Sequence, residues 1–363
     1  MTNRPASISS DLPPGALFGL SFGHLHAQYS VVRCPSVCDG GQKLKNVIMK
    51  HLVMVGACYV DTILRVDHYP TEDEKLRASN VTRRRGGNCP NSLEVVEQLV
   101  QQSGANVALD LVAVLPSRSS PGSQLIRDSL GPAVSFDHCI YRENISDPAS
   151  SYVIRSQSTD SRTIINFNEL PEMTVDEFRC IVSQLNDTDD YWFHFEGRIP
   201  DTTLECIHHL RQSLPQAVIS VEVEKPGRAG LENLAAEADM VFYSKSWAQA
   251  KGYSSAEQCL RGQANFTPKA RHLCCTWGEK GADVLELPSR THISVPAYTE
   301  ERSSIVDTIG AGDTFVAGMI FGLMCRRDDW DLKSKVRFAN ELAGRKVIQE
   351  GFSGLGTAMK HWL

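Results

Sequence analysis

From about residue 173 to the end, helical and apolar-strand periods alternate along the chain, and that rhythm restricts the fold more than any other feature. Helix-period stretches at Val175 to Leu185 and Thr202 to Ser213 each precede an apolar strand run, Tyr191 to Glu196 and Ala217 to Val223. Further runs follow at Met240 to Tyr243, His272 to Thr276 and Ala282 to Glu286, before two helical stretches, Asp313 to Arg326 and Leu332 to Gln349. Strands that are apolar throughout must be buried on both faces, so the connecting helices cover both sides of one mainly parallel sheet. The expected fold class is α/β, a three-layer α/β/α sandwich.

The first half joins this sheet through His51 to Val60, a continuous apolar run ended by Asp61, and through Val107 to Leu115. Between and after these lie stretches of polar–apolar alternation, the pattern of strands exposed on one face. They fall at about residues 62–85 and 136–168 and predict a small separate β-sheet, a lid on the main domain. Residues 1–48, with Pro-Pro, Gly-Gly and many serines, carry no sustained period. They read as a flexible N-terminal extension or an early start, leaving 49–363 as the folded domain.

Composition excludes some partners. A formal charge of −6 gives no basic face for nucleic acid or an anionic membrane. The triplet Arg83-Arg84-Arg85 reads as a solvated strand edge. The longest apolar run, Phe315 to Cys325, is eleven residues, short of the roughly 18 to 20 that span a bilayer. Eleven scattered cysteines without a CxxC spacing predict reduced thiols and a cytoplasmic location.

The chemistry concentrates in Asp307-Thr-Ile-Gly310-Ala311-Gly312-Asp313. A strand period enters a Gly-Ala-Gly turn, and a helix begins there. Small residues let backbone N–H groups converge at the positive helix end, an anion hole suited to a transferring phosphoryl group. A carboxylate in that turn would repel phosphate, but is in place to accept a proton from an attacking hydroxyl. A plain helix cap at Asp313 is the alternative.

This stretch matches the C-terminal signature of the ribokinase-like (PfkB) carbohydrate kinases. The run Gly86-Gly87-Asn88-Cys89-Pro90-Asn91, about 220 residues earlier, resembles their N-terminal signature, with Cys89 where a small residue is common. The resemblance covers about residues 51 to 357. His194-Phe-Glu196-Gly197-Arg198 and Val221-Glu222-Val-Glu224-Lys225-Pro226 are most similar to the ketohexokinase-like branch.

The resemblance implies an ATP- and Mg²⁺-dependent sugar kinase acting on a ketohexose such as fructose, with a ribokinase-like fold and a homodimer formed through the lid. It implies Asp313 as proton acceptor, the Gly310, Ala311 and Gly312 amides as the anion hole, and Arg162 over the transferring phosphate. Sugar would be held by Asp61, Gly87, Asn88 and Asn91, with Asp67 reaching sugar from a partner subunit. Nucleotide would meet Trp277, Gly278, Glu279 and Gly281, and be closed in by Asn340 and Ala343. Glu222, Glu224 and Asp307 are the candidates for Mg²⁺. Another PfkB activity, such as ribokinase or a different fructokinase, and a non-catalytic sugar- or nucleotide-binding regulator are the competing readings. A Rossmann dehydrogenase is excluded, because Gly56-Ala-Cys-Tyr-Val-Asp61 lacks Gly-x-Gly-x-x-Gly.

Overall fold

The computed structural model describes residues 48–159, 161–300 and 304–363. The expectation for the N-terminal extension falls almost wholly on 1–47, outside the described residues. Among the described residues, nine strands form the central sheet. Its first strand, Lys50–Val55, lies between Val107–Val112 on one side and Asp190–Phe195 on the other, parallel to both. Val218–Val223, Met240–Tyr243 and His272–Thr276 continue the parallel order outward. Ala282–Glu286 and Thr291–Val295 close that edge as an antiparallel pair. Two apolar cores cover the two faces. One holds Leu52, Leu93, Leu99, Phe315, Ile320 and Phe338, and the other Val53, Phe178, Phe193, Ile207, Ile219 and Trp247. The three layers expected from the alternation are present.

The lid is a separate four-stranded sheet in the order Asn80–Gly86, Tyr59–Val66, Ser150–Ser156, Arg162–Phe167. Two sequence expectations need correction. The apolar run from His51 to Val60 is two strands. It breaks at Gly56-Ala-Cys58, where the Glu196 carboxylate accepts the Ala57 N–H at 2.9 Å. Asp61 therefore stands within the first lid strand rather than at the end of the first sheet strand. The segment 136–141 is not lid: Ile140–Arg142 pairs with Val114–Pro116 in a two-stranded sheet of its own.

Register sorts the lid residues by face. Asp61, Ile63 and Arg65 share a face with Arg84, Thr82 and Asn80, with Ser151, Val153 and Arg155, and with Asn166, Ile164 and Arg162. Part of this face roofs a cleft whose floor includes residues 305–309. Leu64, Val81, Tyr152, Ile154, Ile165 and Phe167 occupy the opposite face, where Val81, Tyr152, Ile165 and Phe167 are each more than 40% exposed.

Candidate active site

The carboxyl ends of the parallel strands carry the polar residues, at the point where the order reverses around Lys50–Val55, the usual ligand crevice of such sheets. Two glycine positions shape it. Gly87 has φ 111° and precedes the helix Asn88–Ser103; a Cβ there would stand 2.1 Å from the Ala57 carbonyl oxygen. Gly310 has φ 80° and caps the helix Ala311–Cys325, with the Phe352 ring 2.4 Å from where a Cβ would be. Only glycine holds the backbone in both places.

Asp313 lies in the first turn of that helix, partly accessible. Its Oδ2 accepts a 2.7 Å hydrogen bond from Asn91 Nδ2, and its carbonyl accepts one from Ser92 Oγ. The two signature segments are thus in direct contact. Burial, then the neighbouring Glu222 charge, pushes the Asp313 carboxyl well above the usual carboxylate range, against the pull of the Asn91 amide.

Arg85 corrects the reading of the arginine triplet. Its side chain is 2% exposed and donates to Asn91 Oδ1 at 2.6 Å, to Ser129 Oγ and to Glu94. A guanidinium only donates, so it draws the Asn91 oxygen to itself and turns the amide NH₂ toward Asp313. Asn91 is engaged at both ends. Arg84, the second member, pairs with Asp307 at 3.1 Å.

Asn88 donates to Glu222 at 2.7 Å and to Glu224 at 2.9 Å. Glu222 Oε1 meets His194 Nε2 at 2.9 Å, and His194 Nδ1 and Trp192 Nε1 both meet Ser220 Oγ at 2.8 Å. Burial lowers the His194 pKa to about 3, so the imidazole is neutral. Burial and the Glu224 charge raise the Glu222 carboxyl. Glu196, beside them, is pushed up to about 7 by burial. Cys89, which departs from the signature, packs its thiol beside Gly56 and hydrogen-bonds the Val55 carbonyl.

The three metal candidates separate. Asp307 Oδ2 accepts from Lys346 Nζ and Arg84, and Oδ1 from the Ile309 N–H. Although burial opposes them, these partners hold its carboxyl below the ordinary value. With both oxygens occupied by donors, Asp307 does not suit Mg²⁺. Glu222 is enclosed by His194 and Asn88. Glu224 is exposed, with Asn88 on one oxygen, and fits a hydrated hard cation.

The structure places Asp61 beside Ser151 and Arg84 on the inner lid face; burial raises its pKa against both. Arg162, four residues from Asn166 along its strand, is exposed on that same face. Asp67 lies six residues after Asp61, just past the end of the first lid strand at Val66. Trp277 is a core residue, 5% exposed. The turn Gly278–Lys280 exposes Glu279, which pairs with Lys245. Gly281 abuts Val295 and Ala297, and Asn340 Nδ2 donates to the Val295 carbonyl at 2.9 Å. One backbone segment thus joins these two nucleotide candidates, while Ala343 stands half-buried one turn along the helix. The buried cations Arg85 and Lys346 were not expected. Only the run Arg-Gly-Gly-Asn hinted at the first, and nothing local marked the second.

The pfkB family carbohydrate kinase model matches residues 49–355. The chain belongs to that family. It is 33% identical to mouse ketohexokinase over 313 residues, 84% of this chain and 99% of the relative. Among solved structures, ribokinase from Giardia lamblia aligns with a TM-score of 0.69 at 15% identity, covering 87% of this chain and 100% of the other. Arabidopsis thaliana ribokinase complexed with ribose and ATP aligns at 0.66 and 18%, covering 86% and 99%. These likenesses show the ribokinase-like fold, and family membership makes the chain a sugar kinase.

Proposed function

We propose that this sugar kinase transfers the γ-phosphoryl group of ATP to the primary hydroxyl of a ketohexose such as fructose, giving the 1-phosphate. The single observation that carries this reading is the Asn91–Asp313 contact, which sets a carboxylate of raised pKa at a glycine-capped helix N-terminus beside the Gly-Gly-Asn turn. A carboxyl whose pKa is raised toward the working pH accepts a proton more readily, so Asp313 takes the hydroxyl proton as that oxygen attacks phosphorus. The Gly310, Ala311 and Gly312 amides stabilise charge on the transferring group. Arg162 supplies a guanidinium to it from the lid.

Asp61, Gly87 and Asn88 orient the sugar, with Asn91 holding Asp313 and offering contact to the reacting hydroxyl. The Gly278–Gly281 turn and the Asn340–Ala343 stretch take the nucleotide. Mg²⁺, when bound with ATP, neutralises phosphate charge, and Glu224 is the residue that would hold it through water. The domain spans 49–363. Exposed apolar side chains on the outer lid face support a homodimer through the lid, where Asp67 of one chain would approach the sugar of the other. Nine described cysteines are free thiols, which suits the cytoplasm.

The test is an ADP-release screen with ATP and Mg²⁺ across fructose, tagatose, ribose, adenosine and glucose, with the product carbon assigned by NMR. Preferential turnover of fructose to its 1-phosphate supports the reading. Preference for ribose or adenosine, or phosphate on another carbon, replaces it with another activity of the family.

A further inference from the structure

One face of the central sheet breaks its apolar pattern beside the Gly-Gly-Asn turn. Trp192 and His194 stand two apart on one strand, Ser220 and Glu222 two apart on the next, and register pairs His194 with Ser220. Strand alternation puts all four on the same face. Cys89, in the first turn of the helix Asn88–Ser103, comes down onto that stripe. One ligand atom from each of Cys89, His194 and Glu222 lies within 4.8 Å of the other two, and all three residues are buried.

Thiolate, imidazole and carboxylate together suit a borderline-soft divalent cation rather than Mg²⁺. Bonds of about 2.0–2.3 Å around a tetrahedral ion hold its donors about 3.3–3.7 Å apart. His194 Nε2 and Glu222 Oε1 stand at 2.9 Å, so shifts of about 1 Å admit such an ion. Ser220 Oγ accepts from Trp192 Nε1 and lies 2.8 Å from His194 Nδ1 and 3.4 Å from the Phe193 carbonyl. With the hydroxyl turned to that carbonyl, its oxygen accepts an Nδ1–H, and this tautomer frees Nε2 as a ligand. Charge also favours a cation. Glu196, Glu222 and Asp313 surround Cys89, and among the described residues neither Glu222 nor Glu224 pairs with a lysine or arginine. Exposed Glu224, and Asn88 bridging it to Glu222, mark the way in from solvent.

We propose that Cys89, His194 and Glu222 form a binding site for a divalent cation of the zinc class, with water as fourth ligand, distinct from the Mg²⁺ that accompanies ATP. The thiol gives its proton to water as sulfur bonds the ion, and thiolate and carboxylate balance its two positive charges. Cys89 completes the set, since a small residue at that position would leave two donors. Asn88 shares Glu222 with the ion, so occupancy shifts a sugar-orienting amide and raises the KM for sugar. That coupling rests on the sugar-kinase reading; the metal site does not.

The experiment titrates Co²⁺, a spectroscopic stand-in for zinc, into the full chain, reduced and stripped of metal, with excess Mg²⁺ present. Wild type is expected to show a thiolate-to-cobalt charge-transfer band in the near ultraviolet that saturates and is erased by Zn²⁺. Cys89→Ala should lose the band and bind Co²⁺ at least about 100-fold more weakly, the upper end of what loss of an outer partner costs. Its unfolding midpoint and metal-free turnover should stay close to wild type. Glu222→Gln, of the same shape, should weaken Co²⁺ similarly, so the test does not hang on one variant. Cys180→Ser, which lacks an exposed thiol, should keep the band.

ADP release at buffered free zinc tests the coupling. Zinc should raise the fructose KM of wild type, and Cys89→Ala should need at least about tenfold more zinc for the same rise. A band without a KM rise overturns the link through Asn88. No band in wild type, or an equal band in Cys89→Ala, overturns the site. Absence of sugar turnover would defeat the proposed function while the cobalt spectrum still decides the site.

Discussion

Replacing Arg85 by methionine separates what its guanidinium does for the fold from what it does for Asp313. The side chain is 2% exposed and bonds Asn91, Ser129 and Glu94. Removing one partner of a buried ion pair costs about 3–5 kcal/mol, because the other charge is left stranded. Glu94 keeps 23% exposure, so water recovers part of that loss, and about 2–4 kcal/mol remains. At about 2.1 cal/mol/K per residue, a folded domain of roughly 315 residues has an unfolding entropy near 0.66 kcal/mol/K, which turns the loss into about 3–6 °C in Tm. Asn91 would also be released, and kcat should fall on the order of tenfold as the amide loses its fixed direction. Adding Glu94→Leu removes the stranded carboxylate and should restore most of the stability while kcat stays low. Calorimetry and steady-state ADP release on both variants are the assays. Recovery of kcat with Tm in the double variant would refute the positioning role, and so would an Arg85→Met midpoint within about 1 °C of wild type.

Asp313→Asn should lower kcat by about 10²–10⁴-fold while calorimetric ATP and sugar affinities stay close to wild type; retention of a tenth of the turnover would remove the proton-acceptor role. Asn91→Ala takes away the donor that lowers the Asp313 pKa, so the acid limb of kcat/KM against pH should move to higher pH, and an unmoved limb would contradict the contact. Glu196 has a folded pKa raised to about 7. Folded protein keeps that proton after the unfolded chain has lost it, so this group's stabilisation fades as pH rises from about 4.5 to 7. Urea midpoints of Glu196→Gln should therefore decline less than wild type across that window. Ile165→Asp, on the exposed outer lid face, should halve the mass seen by light scattering at micromolar concentration, and a monomeric wild type would dismiss the dimer.

The central sheet was legible because burial on both faces forces unbroken apolar runs, and Met240–Tyr243, His272–Thr276 and the antiparallel Ala282–Glu286 fall where the periodicity puts them. The lid was legible in part, since alternation marks a half-exposed strand without naming its partner. Ile140–Arg142 has such a pattern and pairs elsewhere. Asp313 and the glycines around it could be read because their chemistry is local: a turn, a helix end and a carboxylate within seven residues. Asp307 could not, because what disqualifies it for Mg²⁺ is Lys346 and Arg84, distant in the chain and brought together only by packing.

By itself the sequence determined the α/β class and the presence of two glycine signatures, and it singled out Asp313 as the proposed proton acceptor, since each follows from short-range pattern. Tertiary structure decided the charge environment of those residues. Three consecutive arginines look equivalent along the chain, yet strand alternation sends Arg84 to Asp307, and the close of the strand at Gly86 buries Arg85 against Asn91. Likewise Arg65, Arg155 and Arg162, far apart in sequence, form one row only once strand register is set. Electrostatic role depends on what lies within a few ångströms in space, and that distance is fixed by sheet register and helix packing rather than by sequence spacing.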